Sequence, residues 1–413
     1  MTKHLPQIIT SLLDNDLYKA TMLQVQLVEM PEAMVEWTYK NRNPDTKFTQ
    51  EMIDEINYQI DLYCKLRFNE AELAWLKSLR YMKQHTINYL RLYQPIREDI
   101  TCELNTETMQ PEIHFRGPDI QETWHEVPVM SIVAEVYFQM NYTEEEKKNA
   151  IEEAKKRYFA KRDRLIASDY TITFSEFGTR RRFSKEFQDW MLKDLSTWQF
   201  KSSTFVGTSN MYFAMKYKLN CTGTMAHQYI EEIGQGYPER NPAYSNKYAM
   251  DAWHKVYGTD LGIYLTDCIT TDCFLKDFDQ MNAILYSGVR HDSGDPVEWG
   301  EKILAHYRKL NIDARQKTLL FSDSLDFERA QHLHQYFSGR CKVAFGIGTW
   351  LTNDNGLPPM NQVIKLTEVN GIPVCKLSDA KKDPATGLPS KFMGKDMEYA
   401  QFLGRSIDWR VKH

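Results

Sequence analysis

The feature of this sequence that most restricts its fold is a series of short apolar runs after residue 170, each followed by polar or glycine-rich residues. Between the runs, apolar residues mostly recur at helical spacing. Seven such runs follow one another, at residues 171–174, 203–206, 221–222, 262–265, 283–286, 318–321 and 343–345. Strands that alternate with helices are typical of parallel sheets. The pattern predicts an α/β barrel, with an open doubly wound sheet as the alternative.

The chain before residue 141 and after residue 359 follows a different pattern. Helices are predicted from Asp16 to about residue 29 and at 50–62, 70–79 and 128–142, and strands at 34–39, 100–104, 112–115 and 122–127. A further helix at 144–168 leads into the barrel. Near the end, β-rich runs at 363–369 and 373–378 flank Asn370-Gly371, a strong hairpin signal. An antiparallel pair does not fit the alternation of strands and helices that predicts the barrel. We therefore predict two domains, one of residues 1–140 plus about 360–413 and a barrel of residues 141–359.

Composition excludes several classes of protein. The net charge of -5 over 413 residues argues against a general nucleic-acid binder. No apolar run approaches the roughly 18 residues of a membrane span, and the N-terminus lacks a signal-peptide pattern. Seven scattered cysteines, an odd number, favour reduced thiols in a cytoplasmic protein.

The loop of residues 288–296 holds the densest set of reactive side chains. It follows the apolar run at 283–286 and precedes an amphipathic segment, so it is predicted as a strand, a polar loop and a helix start. Asp295 and Pro296 suit the N-cap and first position of that helix. Arg290 suits phosphate oxygens, and Asp292 suits ribose hydroxyls or Mg²⁺. The alternative is a capped helix with a surface salt bridge.

A run of three arginines, residues 180–182, follows another predicted strand and lies next to Phe177. An aromatic ring beside a guanidinium can stack a flat aromatic acid and pair with its carboxylate. The alternative is a solvated basic corner.

His227 follows the polar end of a further run. A histidine there could act as a base or a nucleophile, because an ordinary pKa near ~6.5 leaves much of it neutral at neutral pH. The alternative is a structural histidine.

The segment Gly346-x-Gly348-Thr349 lacks the third glycine of a dinucleotide fingerprint, since position 351 is leucine. It suits a backbone nest for phosphate at a late barrel strand. Cys268 and Cys273 have no second pair at zinc spacing, so a zinc site is not expected.

Taken together, these stretches resemble the nicotinate phosphoribosyltransferases, a type II phosphoribosyltransferase family. The matching segments are residues 13–19, 176–184, 207–210, 223–227, 288–299, 321–326, 345–349 and 376–379. The resemblance implies an irregular TIM-like α/β barrel with an N-terminal α/β sandwich domain that the C-terminal segment rejoins.

The resemblance also implies a reaction. Nicotinate and 5-phosphoribosyl 1-pyrophosphate would give nicotinate mononucleotide and pyrophosphate, coupled to ATP hydrolysis, as the entry step of NAD salvage. Mg²⁺ is the implied cofactor and ATP a co-substrate. The implied partners are small molecules and a second subunit in a cytoplasmic homodimer.

Residue roles follow from the resemblance for the pyridine and ATP. His227 matches the histidine that ATP phosphorylates. Phe177 and Tyr18 match the aromatic residues that sandwich the pyridine ring, with Tyr18 contributed by a neighbouring subunit. Arg180 matches the residue near the nicotinate carboxylate.

A second set concerns the phosphoribosyl group. Arg290 would hold pyrophosphate or the ribose phosphate, and Asp292 the ribose hydroxyls. Gly346, Gly348 and Thr349 would hold the 5′-phosphate. Asp267 and Asp323 are candidates for Mg²⁺ or ribose contacts, Asp267 being the Mg²⁺ candidate.

Ser209 bears on the choice of substrate. The related nicotinamide enzyme has an aspartate at this position, where it would accept from an amide and repel a carboxylate. A serine therefore favours nicotinate. The alternatives are a nicotinamide or quinolinate phosphoribosyltransferase and, from another class, a non-catalytic nucleotide-binding regulator.

Overall fold

The computed structural model describes residues 4–167, 172–197, 203–384, 386, 388 and 396–413. Its helices are α1 (Leu17–Glu29), α2 (Gln50–Tyr63), α3 (Glu70–Ser78), α4 (Gln84–Leu92), α5 (Asp119–Glu122), α6 (Glu126–Asn141), α7 (Glu144–Ile166), α8 (Lys185–Leu195), α9 (Met211–Tyr217), α10 (His227–Gln235), α11 (Ser245–Tyr257), α12 (Thr271–Asp277), α13 (Gln280–Leu285), α14 (Pro296–Lys309), α15 (Phe327–Phe337), α16 (Thr349–Thr352) and α17 (Met397–Lys412). Short 3-10 helices lie at Arg97–Asp99, Thr179–Arg181, Pro242–Tyr244 and Ala314–Gln316.

The strands fall into two separate sheets. They are β1 (Met34–Asn41), β2 (Ile100–Asn105), β3 (Gln110–Pro118), β4 (Ile172–Glu176), β5 (Ser203–Thr208), β6 (Asn220–Cys221), β7 (Ile263–Leu265), β8 (Gly288–His291), β9 (Thr318–Phe321), β10 (Lys342–Ile347), β11 (Gln362–Val369) and β12 (Ile372–Pro373). The first residue of the apolar run predicted at 171–174 lies outside the described residues.

Seven strands form one parallel sheet in the order β6-β5-β4-β10-β9-β8-β7. This confirms the predicted α/β barrel, in an irregular form. Within the described residues, no backbone ladder joins the edge strands β6 and β7. The hydroxyl of Thr224, just after β6, instead donates to the carbonyl of Ile263 on β7 at 2.7 Å. All seven strands present their carboxyl ends at one rim, which is where a barrel gathers its polar side chains.

The antiparallel sheet has the order β12-β11-β1-β3-β2. Its central strand β1 pairs with β3 on one side and with β11 on the other. The predicted hairpin is therefore confirmed, and it joins the sheet of the N-terminal segment. Its second strand is only Ile372–Pro373, not the predicted 373–378. Asn370 and Gly371 both have positive φ, as this tight turn requires.

The C-terminal helix α17 packs against α12 and the 3-10 helix Pro242–Tyr244. The domain boundaries at residues 140 and 360 remain a prediction. All seven cysteines are free thiols. Among the residues that the structure describes, none of the helices combines the length and apolar character that a membrane span requires.

Two predicted strands are wrong. Residues 283–286 form the end of α13 and the residue after it, and the strand is Gly288–His291 instead. Asp279 caps α13 by accepting from the Asn282 amide at 2.8 Å, which sets the helix start. A Cβ on Gly288 would lie 2.1 Å from the Thr318 carbonyl, so this strand begins where a glycine permits close pairing with β9.

The segment 122–127 is helical rather than a strand, because it spans the end of α5 and the start of α6. Helix α6 is buried on nearly every face along its first eleven residues. All six residues of the segment are buried, polar ones included, so it has no exposed polar face from which a helical period could be recognised.

Candidate active site

His227 meets two aspartates at the rim of the parallel sheet. It is the first residue of α10, and its Nε2 lies 2.9 Å from an Asp267 oxygen and 3.7 Å from an Asp292 oxygen. Asp267 follows β7 and Asp292 follows β8. The predicted convergence of these strand ends is therefore observed. One ligand atom from each of the three residues lies within 4.8 Å of the others.

A lysine completes this cluster. Lys376 Nζ lies 2.9 Å from the second Asp267 oxygen and 3.9 Å from Asp292. Burial and the positive charge of Lys376 lower the pKa of His227 to about 4, although Asp267 opposes them. The imidazole is therefore neutral near pH 7. With its Nε2–H donated to Asp267, the Nδ1 atom keeps a free lone pair.

Arg290 lies on β8 and is held at three points. Its Nε donates to Ser322 at 2.8 Å, one Nη to Asp292 at 3.1 Å and the other to the Met225 carbonyl at 3.3 Å. Burial alone would raise the pKa of Asp292, but Arg290 and Lys376 hold it well below its usual range. Asp292 is therefore ionised, and the guanidinium is fixed at the rim.

Phe177 lies just after β4, against the predicted phosphate nest. A Cβ on Gly346 would lie 2.4 Å from the Phe177 ring, and one on Gly348 would lie 2.9 Å from its carbonyl oxygen. The Phe177 amide also donates to the Ile347 carbonyl at 2.8 Å. Both glycines therefore make room for Phe177, a purpose that the sequence interpretation did not include. Thr349 begins the short helix α16 beside them.

Arg180 and Tyr18 share one carboxylate. Glu126 accepts from Tyr18 at 3.3 Å, and its other oxygen lies 3.5 Å from Arg180. Lys19 lies 2.6 Å from Glu126 as well. These contacts form within a single chain. Tyr18 therefore lies near Arg180 of its own chain, and the contribution of Tyr18 from a neighbouring subunit stays a prediction.

The other two arginines of the run have different surroundings. Arg182 is fully buried, 2.7 Å from Asp14 and 2.8 Å from Glu135. It holds the N-terminal segment against the barrel, so it is a structural residue. Arg181 donates to the Gln362 carbonyl at 3.1 Å, and burial together with Arg180 lowers its pKa to about 9. The predicted anion site is thus limited to Arg180 and Arg181.

Ser209 has an unexpected neighbour. Its hydroxyl donates to Asp16 at 2.8 Å, and both residues are buried. Asp16 precedes α1 as predicted, but its side chain does not cap that helix. Asp16 therefore brings a carboxyl group to Ser209, which the sequence did not indicate, and the preference for nicotinate stays a prediction. Asp323 follows β9 at the same rim, where it accepts from Ser324 at 2.9 Å.

Three charged groups at this site, Lys365, Glu231 and Lys376, were given no role from the sequence. Lys365 lies on β11, and burial together with Lys376 lowers its pKa to about 8 against the opposing charges of Glu231 and Glu126. Burial raises the pKa of Glu231 to about 7. Lys376 lay in a recognised segment but had no assigned role. Lys365 carried no signal, because it occurs in an ordinary alternating strand.

Comparison with known proteins agrees with this geometry. The nicotinate phosphoribosyltransferase family model matches residues 172–398, and the model of that family's N-terminal domain matches residues 13–134. The chain belongs to the nicotinate phosphoribosyltransferase family. Members of this family are enzymes, and the resemblance read from the sequence is confirmed.

Relatives named nicotinate phosphoribosyltransferase match the whole chain. The one from Xanthomonas campestris pv. campestris (strain B100) is 40% identical over 397 residues, covering 96% of this chain and 95% of the relative. The one from Chromobacterium violaceum is 41% identical over 412 residues, covering 98% of each.

Solved structures of the same name have the same fold. The nicotinate phosphoribosyltransferase from Porphyromonas gingivalis superposes with a TM-score of 0.86 at 32% identity, over 97% of this chain and all of that one. The one from Vibrio cholerae gives a TM-score of 0.87 at 32% identity, over 98% and 95% of the two chains.

Proposed function

We propose that this chain transfers the phosphoribosyl group of 5-phosphoribosyl 1-pyrophosphate to nicotinate, coupled to ATP hydrolysis. The products are nicotinate mononucleotide and pyrophosphate, as in NAD salvage. The single observation that carries the proposal is the meeting of His227, Asp267, Asp292 and Arg290 at one rim of the barrel. The printed names of the relatives support the same substrate.

The charges at the rim suit the transfer step. Breaking the anomeric C–O bond builds positive charge on the ribose and negative charge on the departing pyrophosphate. Arg290 and Lys376 are fixed cations on either side of Asp292, and preorganised charge of this kind stabilises such a transition state. The pyridine nitrogen attacks without a protein base, so positioning is the main requirement.

ATP coupling is assigned to His227. Its neutral imidazole would attack the γ-phosphorus of ATP through Nδ1, forming an N–P bond as the bond to ADP breaks. The phosphohistidine carries roughly two negative charges and three acceptor oxygens. Lys376, which lies 2.9 Å from Asp267, is close enough to respond to them. Hydrolysis of the N–P bond then restores the free imidazole.

Nicotinate is placed between Tyr18 and Phe177, with its carboxylate towards Arg180. The ribose hydroxyls are assigned to Asp292, with Asp323 as a further candidate. Gly346, Gly348 and Thr349 remain the proposed 5′-phosphate site, in addition to the space that the glycines give Phe177.

Mg²⁺ is the proposed cofactor, and the carboxylates at the rim suit it to different degrees. Mg²⁺ prefers carboxylate and phosphate oxygens and keeps several waters. Asp267 is 1% exposed, and its oxygens already contact His227, Ser293 and Lys376. The Asp292 side chain is 22% exposed and lies farther from His227 and Lys376, so it is the more accessible ligand. Bound at Asp292, Mg²⁺ would neutralise negative charge on the departing pyrophosphate. Asp267 remains the alternative ligand.

A cytoplasmic homodimer remains part of the proposal. The Tyr18 contacts within one chain do not require a second subunit, so light scattering of the purified protein is the appropriate test. A dimeric mass would support the homodimer, and a monomeric mass would contradict it.

The proposed substrate is tested by supplying nicotinate, nicotinamide and quinolinate separately with 5-phosphoribosyl 1-pyrophosphate. The proposal expects nucleotide from nicotinate above all. Preference for nicotinamide would identify the first alternative, and release of carbon dioxide from quinolinate without a need for ATP would identify the second. A non-catalytic regulator would give no nucleotide with any of them and no acid-labile phosphate from labelled ATP.

A further inference from the structure

Asp16 is a buried carboxyl group that none of the proposed steps uses. It is 3% exposed, and one of its oxygens accepts from Ser209 at 2.8 Å. An isolated backbone bridge to Asn210 and a hydrogen bond from the Leu17 amide to the Ser209 carbonyl fix its main chain against the end of β5. Its position is therefore set by the barrel and not by helix α1, which it does not cap.

The surroundings of Arg180 raise a problem for an anionic substrate. Glu126 lies 3.5 Å from its guanidinium, and the charges of Asp16 and Asp292 also act on it. Glu126 has a pKa below its usual range, because Lys19 and Arg180 outweigh the effect of its burial. Arg180 is thus already balanced by carboxylates. The carboxylate of nicotinate would add another negative charge beside these carboxylates.

We infer that Asp16 takes up a proton when nicotinate binds, and that its carboxylic O–H then donates to the substrate carboxylate. This inference rests on the proposed function, because it places the nicotinate carboxylate beside Arg180. The proton comes from solvent, and the Asp16 anion becomes a neutral acid. A donor then replaces a repelling charge at no cost to the Ser209 hydrogen bond, which a neutral carboxyl oxygen still accepts.

The groups that face Asp16 are consistent with a neutral acid. Burial raises its pKa, whereas the hydroxyls of Ser209 and Thr179 and the charge of Arg180 oppose the rise. Glu126 on α6 and Glu176 on β4 repel its anion when they are ionised. Tyr18 on α1 and Cys221 on β6 also face it, but burial raises the pKa of each, so both are neutral. The carboxylate of bound nicotinate would raise the pKa of Asp16 further.

The same group makes the choice of pyridine depend on pH. Nicotinamide is neutral, and an ionised Asp16 can accept its amide N–H, so nicotinamide binding needs no proton. The affinity for nicotinate is higher at lower pH, so the preference for nicotinate over nicotinamide falls as the pH rises. Asp16 is then a specificity-determining residue for the proposed reaction.

Calorimetric titration of nicotinate in buffers of different ionisation heat counts the protons taken up. The wild-type protein is expected to take up to about one proton per nicotinate at pH values where free Asp16 is ionised, and none with nicotinamide. Asp16→Asn carries an N–H donor without needing a proton, so its uptake should vanish. In the wild type, KM for nicotinate should rise by up to about tenfold per pH unit. In Asp16→Asn this dependence of KM on pH should be lost.

Asp408→Asn, an exposed change on α17, is the matched control and should behave as the wild type. Equal proton counts in wild type and Asp16→Asn, or no uptake by the wild type at any pH, would overturn the inference while leaving nicotinate turnover intact. Failure of the wild type to form any nucleotide from nicotinate would instead overturn the proposed function, and the inference with it.

Discussion

The Nε2 atom of His227 lies 2.9 Å from an oxygen of Asp267, a residue forty positions further along the chain. The helix that begins at His227 and the loop that follows β7 bring the two together. Because the carboxylate occupies Nε2, it leaves Nδ1 as the nucleophilic nitrogen of a neutral ring. Lys376 then balances the aspartate from its other side at 2.9 Å.

The first prediction concerns His227→Ala. The variant should lose the stimulation by ATP and retain some basal transfer, because the transfer itself depends on Arg290 and the substrate pocket. Initial rates with and without ATP, together with acid-labile phosphate from labelled ATP, give the measurement. His332→Ala changes an exposed histidine on α15 and should keep both signals. Full ATP-coupled turnover in His227→Ala would show that His227 has another role.

The second prediction concerns Arg180→Ala. Loss of a charged hydrogen bond should lower kcat/KM for nicotinate on the order of 10- to 100-fold, and for nicotinamide much less. Arg315→Ala, which removes a 72% exposed side chain far along the chain, should change neither value. Equal losses for the two pyridines would count against a carboxylate contact at Arg180.

The third prediction concerns Gly346→Ala. The new methyl group would lie 2.4 Å from the Phe177 ring, so the ring must move and KM for nicotinate should rise. Gly404→Ala on α17 is the control, since its Cβ would meet only Leu388 at 3.7 Å. A KM that is the same in both variants would mean that Phe177 does not contact the pyridine.

The fourth prediction concerns Glu176, at the end of β4. Burial raises its pKa from 4.5 to about 7, although Thr208 and Gly178 donate to it. The native state therefore holds this proton more tightly than the unfolded state. The stability it contributes is full below about pH 4.5 and is lost as the pH rises to about 7.

Glu176→Gln should lack this dependence. We expect the free energy of unfolding, measured with urea between about pH 4.5 and 7, to fall on the order of 1–3 kcal/mol more in the wild type than in the variant. Parallel curves for the two proteins would indicate that Glu176 is ionised in the native state throughout.

The barrel could be predicted because short strands with polar ends recur along the sequence. The meeting of His227, Asp267 and Asp292 at one rim follows from that topology. It could not predict Arg182, since a buried arginine between Asp14 and Glu135 looks identical to its neighbour Arg180 in a run of three. It also missed Lys365 and the contact of Tyr18 with Glu126. Each of these depends on how the antiparallel sheet and α1 pack against the barrel, and neither helical nor strand periodicity carries that information.

The most direct test of the account is the initial rate of nicotinate mononucleotide formation by the wild-type protein, with and without ATP. Nicotinate and 5-phosphoribosyl 1-pyrophosphate should give the nucleotide and pyrophosphate in both cases, and faster when ATP is present and being hydrolysed. Nucleotide formation at the same rate with and without ATP, or none from nicotinate, would contradict it.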